Sequence, residues 1–148
     1  MTLSEFIQPS LVFSNLKAND KDDVFNQLAA AFLKEKVIKD KDDFISAVHY
    51  RESIDTTGVG NGIAIPHGKS STVQRSAIAI ASLENEIDWD SLDGKPVKYV
   101  FLLAISENGD QEHLKVLSEI ASKLMDEDVI EALHNSKNKN DIIEIFNK

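Results

Sequence analysis

The sequence predicts an α/β sandwich in a single domain, with a central mixed β-sheet flanked by helices on both faces. Two observations carry this expectation. Apolar residues recur at three- and four-residue spacing towards both ends of the chain, as in helices that bury one face. Between them, residues 77–83 (AIAIASL) and 97–105 (VKYVFLLAI) are strand-like, and residues 99–105 are continuously apolar, as in a central strand covered on both sides. Such an order of elements builds a sheet between helical layers. A length of 148 residues fits one domain with a sizeable core. No repeat, low-complexity tract or Pro/Ser-rich linker divides it, so the domain is expected to cover residues 1–148.

Each element has a local justification. Residues 11–16 (LVFSNL) read as a short strand. Asn19-Asp20-Lys21-Asp22-Asp23 places capping and acidic residues ahead of Val24, Phe25, Leu28, Ala29, Phe32 and Leu33, which marks a helix start. A second helix is expected over residues 41–51, with Phe44, Ile45 and Val48 inward. Asp110 can cap a helix running to about residue 125, with Leu114, Leu117, Ile120, Ala121 and Leu124 inward. Two shorter helices are expected near residues 127–134 and 140–146.

Composition narrows the partners. Lys and Arg number 16 against 25 Asp and Glu, a net charge of −9. That charge disfavours nucleic acid and anionic lipid and suits a basic protein partner. The chain has no cysteine, which removes disulfides, thiolate metal sites and cysteine nucleophiles and is compatible with a reducing compartment. MTLSEFIQPS does not read as a secretory signal, and no apolar stretch approaches the roughly 20 residues that span a bilayer. A cytoplasmic protein without membrane insertion is expected.

Residues 51–69, RESIDTTGVGNGIAIPHGK, are the most informative segment. Gly58, Gly60 and Gly62 loosen the backbone, Ile63-Ala64-Ile65 forms a short strand, and Pro66 ends it. His67 then stands between a proline and a glycine. An imidazole held there is a candidate nucleophile or proton carrier, because its ordinary pKa of about 6.5 leaves much of it neutral. Nucleotide binding fails on spacing. A dinucleotide fingerprint needs a third glycine where Ile63 or Ile65 stands, and a P-loop ending in Gly68-Lys69-Ser70 needs its first glycine at Ile63. The glycines could instead simply make turns.

Glu52, then Val59-Gly60, then Ile63-Ala64-Ile65-Pro66-His67-Gly68 resembles the active-site signature of the fructose/mannitol-type (type 2) enzyme IIA domain of the bacterial phosphoenolpyruvate-dependent sugar phosphotransferase system. Residues 101–124, FLLAISENGDQEHLKVLSEIASKL, are similar to that family's second landmark, and the resemblance extends over essentially the whole chain. It implies a phosphoryl carrier. His67 would accept a phosphoryl group from the phosphocarrier protein HPr and pass it to a IIB component that serves a membrane IIC component. It also implies that Arg51 lies near the phosphoryl group and that His113 is a second histidine close to His67. Neither cofactor nor metal is implied.

Alternatives remain beside these assignments. Arg51 could cap helix-end carbonyls, and His113 could be solvated beside Glu112. Thr57 and Asn61 are possible phosphoryl contacts, and Lys69 could bind phosphoryl or face solvent. His49 and His134 are expected to be structural. On the resemblance, the glycines are expected to bring the backbone close to the phosphoryl group. The same signature occurs in nitrogen-type enzyme IIA proteins, so a regulatory role competes with sugar uptake. A metal-dependent hydrolase using His67, His113 and a carboxylate is disfavoured, because no HExxH or similar close-spaced set is present.

Overall fold

Side chains that satisfy the first free backbone N–H groups start most of the helices. A computed structural model describes residues 2–108 and 111–147. The chain opens with α1 (Leu3–Phe6), where the Thr2 hydroxyl accepts from Glu5 N–H, and a 3₁₀ turn over Pro9–Leu11 leads into strand β1 (Val12–Leu16). Asp20 accepts from Asp23 N–H at 2.8 Å to cap α2 (Lys21–Lys34), and Asp40 accepts from Asp43 N–H at 3.1 Å to cap α3 (Lys41–Ile54). Short strands β2 (Gly58–Gly60), β3 (Ile63–Ala64) and β4 (His67–Ser70) follow, then long strands β5 (Ala77–Ile87) and β6 (Val97–Ser106). Helices α4 (Gln111–Lys123), α5 (Glu127–His134) and α6 (Lys139–Ile145) end the fold, the last two capped by Asp126 and Asn138. The cap expected from Asp110 lies outside the described residues.

The sheet is mixed, as expected. Its order is β1-β5-β6-β3-β2, and β4 also pairs with β6. β1 is parallel to β5, β5 antiparallel to β6, and β2 antiparallel to β3. Alternate residues of the long strands serve opposite faces. Ala77, Ala79, Ala81, Val100, Leu102 and Ala104 pack under α2 and α3 with Phe25, Leu28, Phe32, Phe44 and Val48. Ile78, Ile80, Tyr99, Phe101 and Leu103 pack with Leu117, Ile120, Leu133, Ile142 and Phe146 of α4 to α6. Each large apolar side chain removed from water contributes roughly 1.5–3 kcal/mol, so both layers are needed to hold the sheet. Gly68 of β4, where a Cβ would meet Val48 and Phe44, lets α3 come close to β4.

Two segments differ from expectation. The glycine-rich stretch forms strand β2, with Gly58 opposite Ala64, and His67 opens a strand of its own instead of following one. Strand β5 runs on past Leu83 through the exposed residues Glu84, Asn85 and Glu86 to Ile87, which pairs with Val97. The register with β6 is irregular between Ser82 and Ile87, and apolar periodicity cannot reveal this polar extension.

Candidate functional site

The site begins at a break in one edge of the sheet. β3 and β4 lie one after the other along the same side of β6, with Ile63 opposite Tyr99, Ala64 opposite Val100, and His67 opposite Leu103. Ile65 and Pro66 separate them. Pro66 has no N–H to give the ladder, although its carbonyl accepts from Leu103 N–H at 2.9 Å. Ile65 N–H turns to the Thr57 carbonyl at 2.9 Å. His67 is therefore the first residue after the interruption, half-buried, with Nδ1 at 3.1 Å from the Ile65 carbonyl. A carbonyl only accepts, so Nδ1 carries the proton and the lone pair of the neutral ring is on Nε2.

A cavity of about 280 Å³ opens here, lined by Arg51, Thr56, Thr57, Val59, Ile65, His67, Leu103, Ile105 and Ala121. Of these described residues, Arg51 alone carries a permanent positive charge. It stands in the last turn of α3, where Nη1 donates to the Asp55 carbonyl at 2.9 Å. The expected helix-end capping is thus present, and it uses one of the five N–H donors of the guanidinium. The same side chain can cap its helix and line the cavity. A larger hollow of about 550 Å³ lies between α5 and α6, lined by Asp128, Asp141 and Glu144 with Val129 and Ile145. It offers neither a histidine nor a cation.

Behind the cavity is a buried polar cluster. The Thr57 hydroxyl donates to Glu52 Oε1, and the indole N–H of Trp89 donates to Thr57 Oγ1 at 3.1 Å and reaches Glu52 Oε1 at 3.4 Å. Lys21 Nζ stands 3.5 Å from Glu52 Oε2 and 5.3 Å from the centre of the Trp89 ring. The Thr56 hydroxyl donates to the Trp89 carbonyl at 2.9 Å and accepts from Gly58 N–H. Because an indole only donates and a carboxylate only accepts, the Thr57 proton points at Glu52. Thr57 lines the cavity, but that proton is not directed at a phosphoryl group. Sequence reasoning passed over Trp89 and gave Glu52 no role beyond the signature; the available signal was a sole tryptophan set among acidic residues.

The other expected residues are not among those lining this cavity. Asn61 makes the turn between β2 and β3, with φ of 59°, its N–H on Asp93 Oδ2 at 3.0 Å and its carbonyl 2.8 Å from His134 Nε2. It lines a different cavity, with Gly62, Glu86, Lys95, Pro96 and His134, because the whole length of β3 separates that turn from His67. His113 is half-buried in the first turn of α4, and its ring packs on Phe6 at 5.4 Å between centroids. His49 pairs with Asp22 at 3.3 Å, and Lys69 is exposed on β4. The glycines do not approach a common point. A Cβ on Gly58 would meet Ser91 Oγ at 2.4 Å, one on Gly60 would meet Asp93 Oδ2 at 3.2 Å, and one on Gly68 would meet Val48 Cγ2 at 2.9 Å. They admit neighbouring parts of the chain, which corrects the expectation that they make room for phosphate.

Among the described residues, no three or more His, Asp or Glu side chains come together as a metal site, and no helix is long and apolar enough to cross a membrane. His67 and Arg51 line the same small cleft, and the Nδ1 bond leaves the lone pair of the neutral ring on Nε2. The family model described as "Phosphoenolpyruvate-dependent sugar phosphotransferase system, EIIA 2" matches residues 5–148, and the chain belongs to that family. It is 32% identical over 148 residues to the PTS system fructose-specific EIIABC component of Bacillus subtilis, covering 100% of this chain but only 23% of that protein. It is 34% identical over 146 residues to a nitrogen regulatory protein of Bradyrhizobium diazoefficiens, covering 99% of this chain and 95% of the relative. The crystal structure of nitrogen regulatory protein IIA-Ntr from Neisseria meningitidis superposes with a TM-score of 0.85 at 28% identity, covering 97% of this chain and 98% of the other.

Proposed function

We propose that the protein is a phosphoryl carrier in which His67 Nε2 takes a phosphoryl group from phospho-HPr and passes it to a IIB component, in the service of fructose- or mannitol-class sugar uptake. The observation that carries this is the bond from His67 Nδ1 to the Ile65 carbonyl at 3.1 Å, which leaves the lone pair on Nε2. That pair forms the N–P bond as the bond from phosphorus to the donor's nitrogen breaks, and the donor ring keeps the electrons. The Nδ1 proton stays in place, and the Ile65 carbonyl stabilises the positive charge that develops on the ring. The transferred group is metaphosphate-like, so alignment and charge do most of the work. Arg51 supplies planar paired donors for its oxygens. The role of His113 as second histidine rests on the family resemblance alone.

A regulatory role is the second reading. It is favoured by the Bradyrhizobium relative, 95% of which is covered, and by the fit to the Neisseria protein. The carrier step is tested with phosphoenolpyruvate, enzyme I and HPr, read by intact mass. One acid-labile phosphoryl group is expected on the wild type and none on His67→Ala; a phosphorylated His67→Ala refutes the site. Transfer from the phosphorylated chain onward to a IIB domain then separates uptake from regulation.

A further inference from the structure

The carrier proposal needs His67 to stay in one tautomer, and nothing in the imidazole itself secures that. A neutral histidine side chain in water prefers the proton on Nε2, which would block the attacking nitrogen. The Ile65 carbonyl reverses the preference only if it is held in place. Ile65 lies in the break between β3 and β4, where its neighbour Pro66 has no N–H to offer. What holds its N–H is the Thr57 carbonyl at 2.9 Å.

Thr57 is in turn fixed from behind. It is 3% exposed, its hydroxyl donates to Glu52, and it accepts from the indole N–H of the fully buried Trp89. The Glu52 side chain is 10% exposed and takes Thr57 and Trp89 on one oxygen and Lys21 on the other. A polar cluster buried to this degree is costly unless every member is satisfied, and satisfied it holds a single geometry. Three hydrogen bonds, joined through the covalent frames of Thr57 and Ile65, thus link the Glu52 carboxylate to the His67 ring.

We propose that Glu52 is a positioning residue which, through Thr57 and the Ile65 carbonyl, holds His67 as the Nδ1–H tautomer with Nε2 free to attack. This rests on the reading of His67 as phosphoryl acceptor, but its test does not require phosphorylation. The tautomer is read from long-range ¹H–¹⁵N spectra of the full unphosphorylated chain at about pH 8, above the ordinary histidine pKa. The wild type should show Nδ1–H at His67. Glu52→Ala and Thr57→Val should shift it towards Nε2–H and slow phosphorylation by HPr about tenfold or more. Glu52→Gln keeps an oxygen acceptor and Thr57→Ser keeps the hydroxyl, so both should restore the wild-type tautomer and rate.

Folded Glu52→Ala or Thr57→Val with an unchanged Nδ1–H tautomer overturns the proposal, as does a wild type found as Nε2–H. Thr57→Val replaces a hydroxyl by a methyl of similar size, so it decides the matter if Glu52→Ala unfolds. A wild type with the expected tautomer that accepts no phosphoryl group would instead sink the carrier reading and leave the positioning result intact.

Discussion

His67 and His134 each lend one ring nitrogen to a backbone carbonyl of the same glycine-rich segment, with opposite results. His67 uses Nδ1 on Ile65, two residues before it in the break that precedes its strand, and borders a cleft with Arg51. His134 reaches from the last turn of α5, places Nε2 at 2.8 Å from the Asn61 carbonyl, and sets its ring edge-on to Tyr99 at 5.2 Å. The second bond ties a helix to a turn, and the cavity that its histidine lines holds both Glu86 and Lys95. A histidine on a carbonyl is therefore not itself a mark of reactivity. The two rings differ in the nitrogen left over and in the charged residues that line their cavities.

Removing Arg51 should break the contrast most sharply. Arg51→Ala is expected to slow phosphorylation of His67 by roughly ten- to a hundredfold, the range for losing a charged donor that meets a developing anion. Arg51→Lys should recover little of this, since an ammonium cannot hold two oxygens in one plane. His134→Ala should phosphorylate at the wild-type rate. Single-turnover transfer from phospho-HPr measures all three, and a wild-type rate in Arg51→Ala would mean that Arg51 is only the helix cap that its bond to Asp55 also makes it.

Much of this contrast was legible in the sequence, but not its geometry. The helices could be read because capping residues and apolar spacing are local, and Asp20 caps α2 as expected. The phosphoacceptor candidate was visible because Pro66 and Gly68 flank it. What stayed hidden depends on contacts distant in the chain. Asn61 and Thr57 are polar and close to His67 in sequence, yet one is turned away by the length of β3 and the other is occupied by Glu52 and Trp89. Nothing local says that Trp89, 32 residues beyond Thr57, closes the cluster behind the cleft. The glycines misled for the same reason, because what approaches each of them comes from elsewhere in the chain.

Gly68 sharpens the comparison at the level of packing. It follows His67 and lies directly under α3, where an added Cβ would stand 2.9 Å from Val48 Cγ2, 3.1 Å from Phe44 Cε1 and 3.2 Å from Val48 N. The last contact is backbone, so a rotamer change alone cannot relieve it. Gly68→Ala should destabilise the fold by about 1–3 kcal/mol, as for overpacking in a filled core. Urea unfolding measures this, and His67 should lose transfer rate with it as β4 moves off α3. An unchanged midpoint would show that α3 yields more easily than its burial suggests.

The smallest effect is expected at the other end of the segment, where Asp93 holds the turn that His134 also holds. Its carboxylate accepts from Asn61 N–H at 3.0 Å and Lys95 N–H at 3.1 Å, and these bonds, that from Asn61 first, lower its pKa below the ordinary 3.8. A folded-state pKa below the unfolded one means that the unfolded chain takes up the proton first as the solution is acidified. The contribution of Asp93 is therefore complete above pH 3.8 and disappears as pH falls through the lower folded value. Thermal melts of wild type and Asp93→Asn should differ at neutral pH and converge below that point. If the gap persists undiminished in acid, the turn depends on the shape of the side chain and not on its charge. The contrast between the two histidines would then be one of packing at His134 and of charge only at His67.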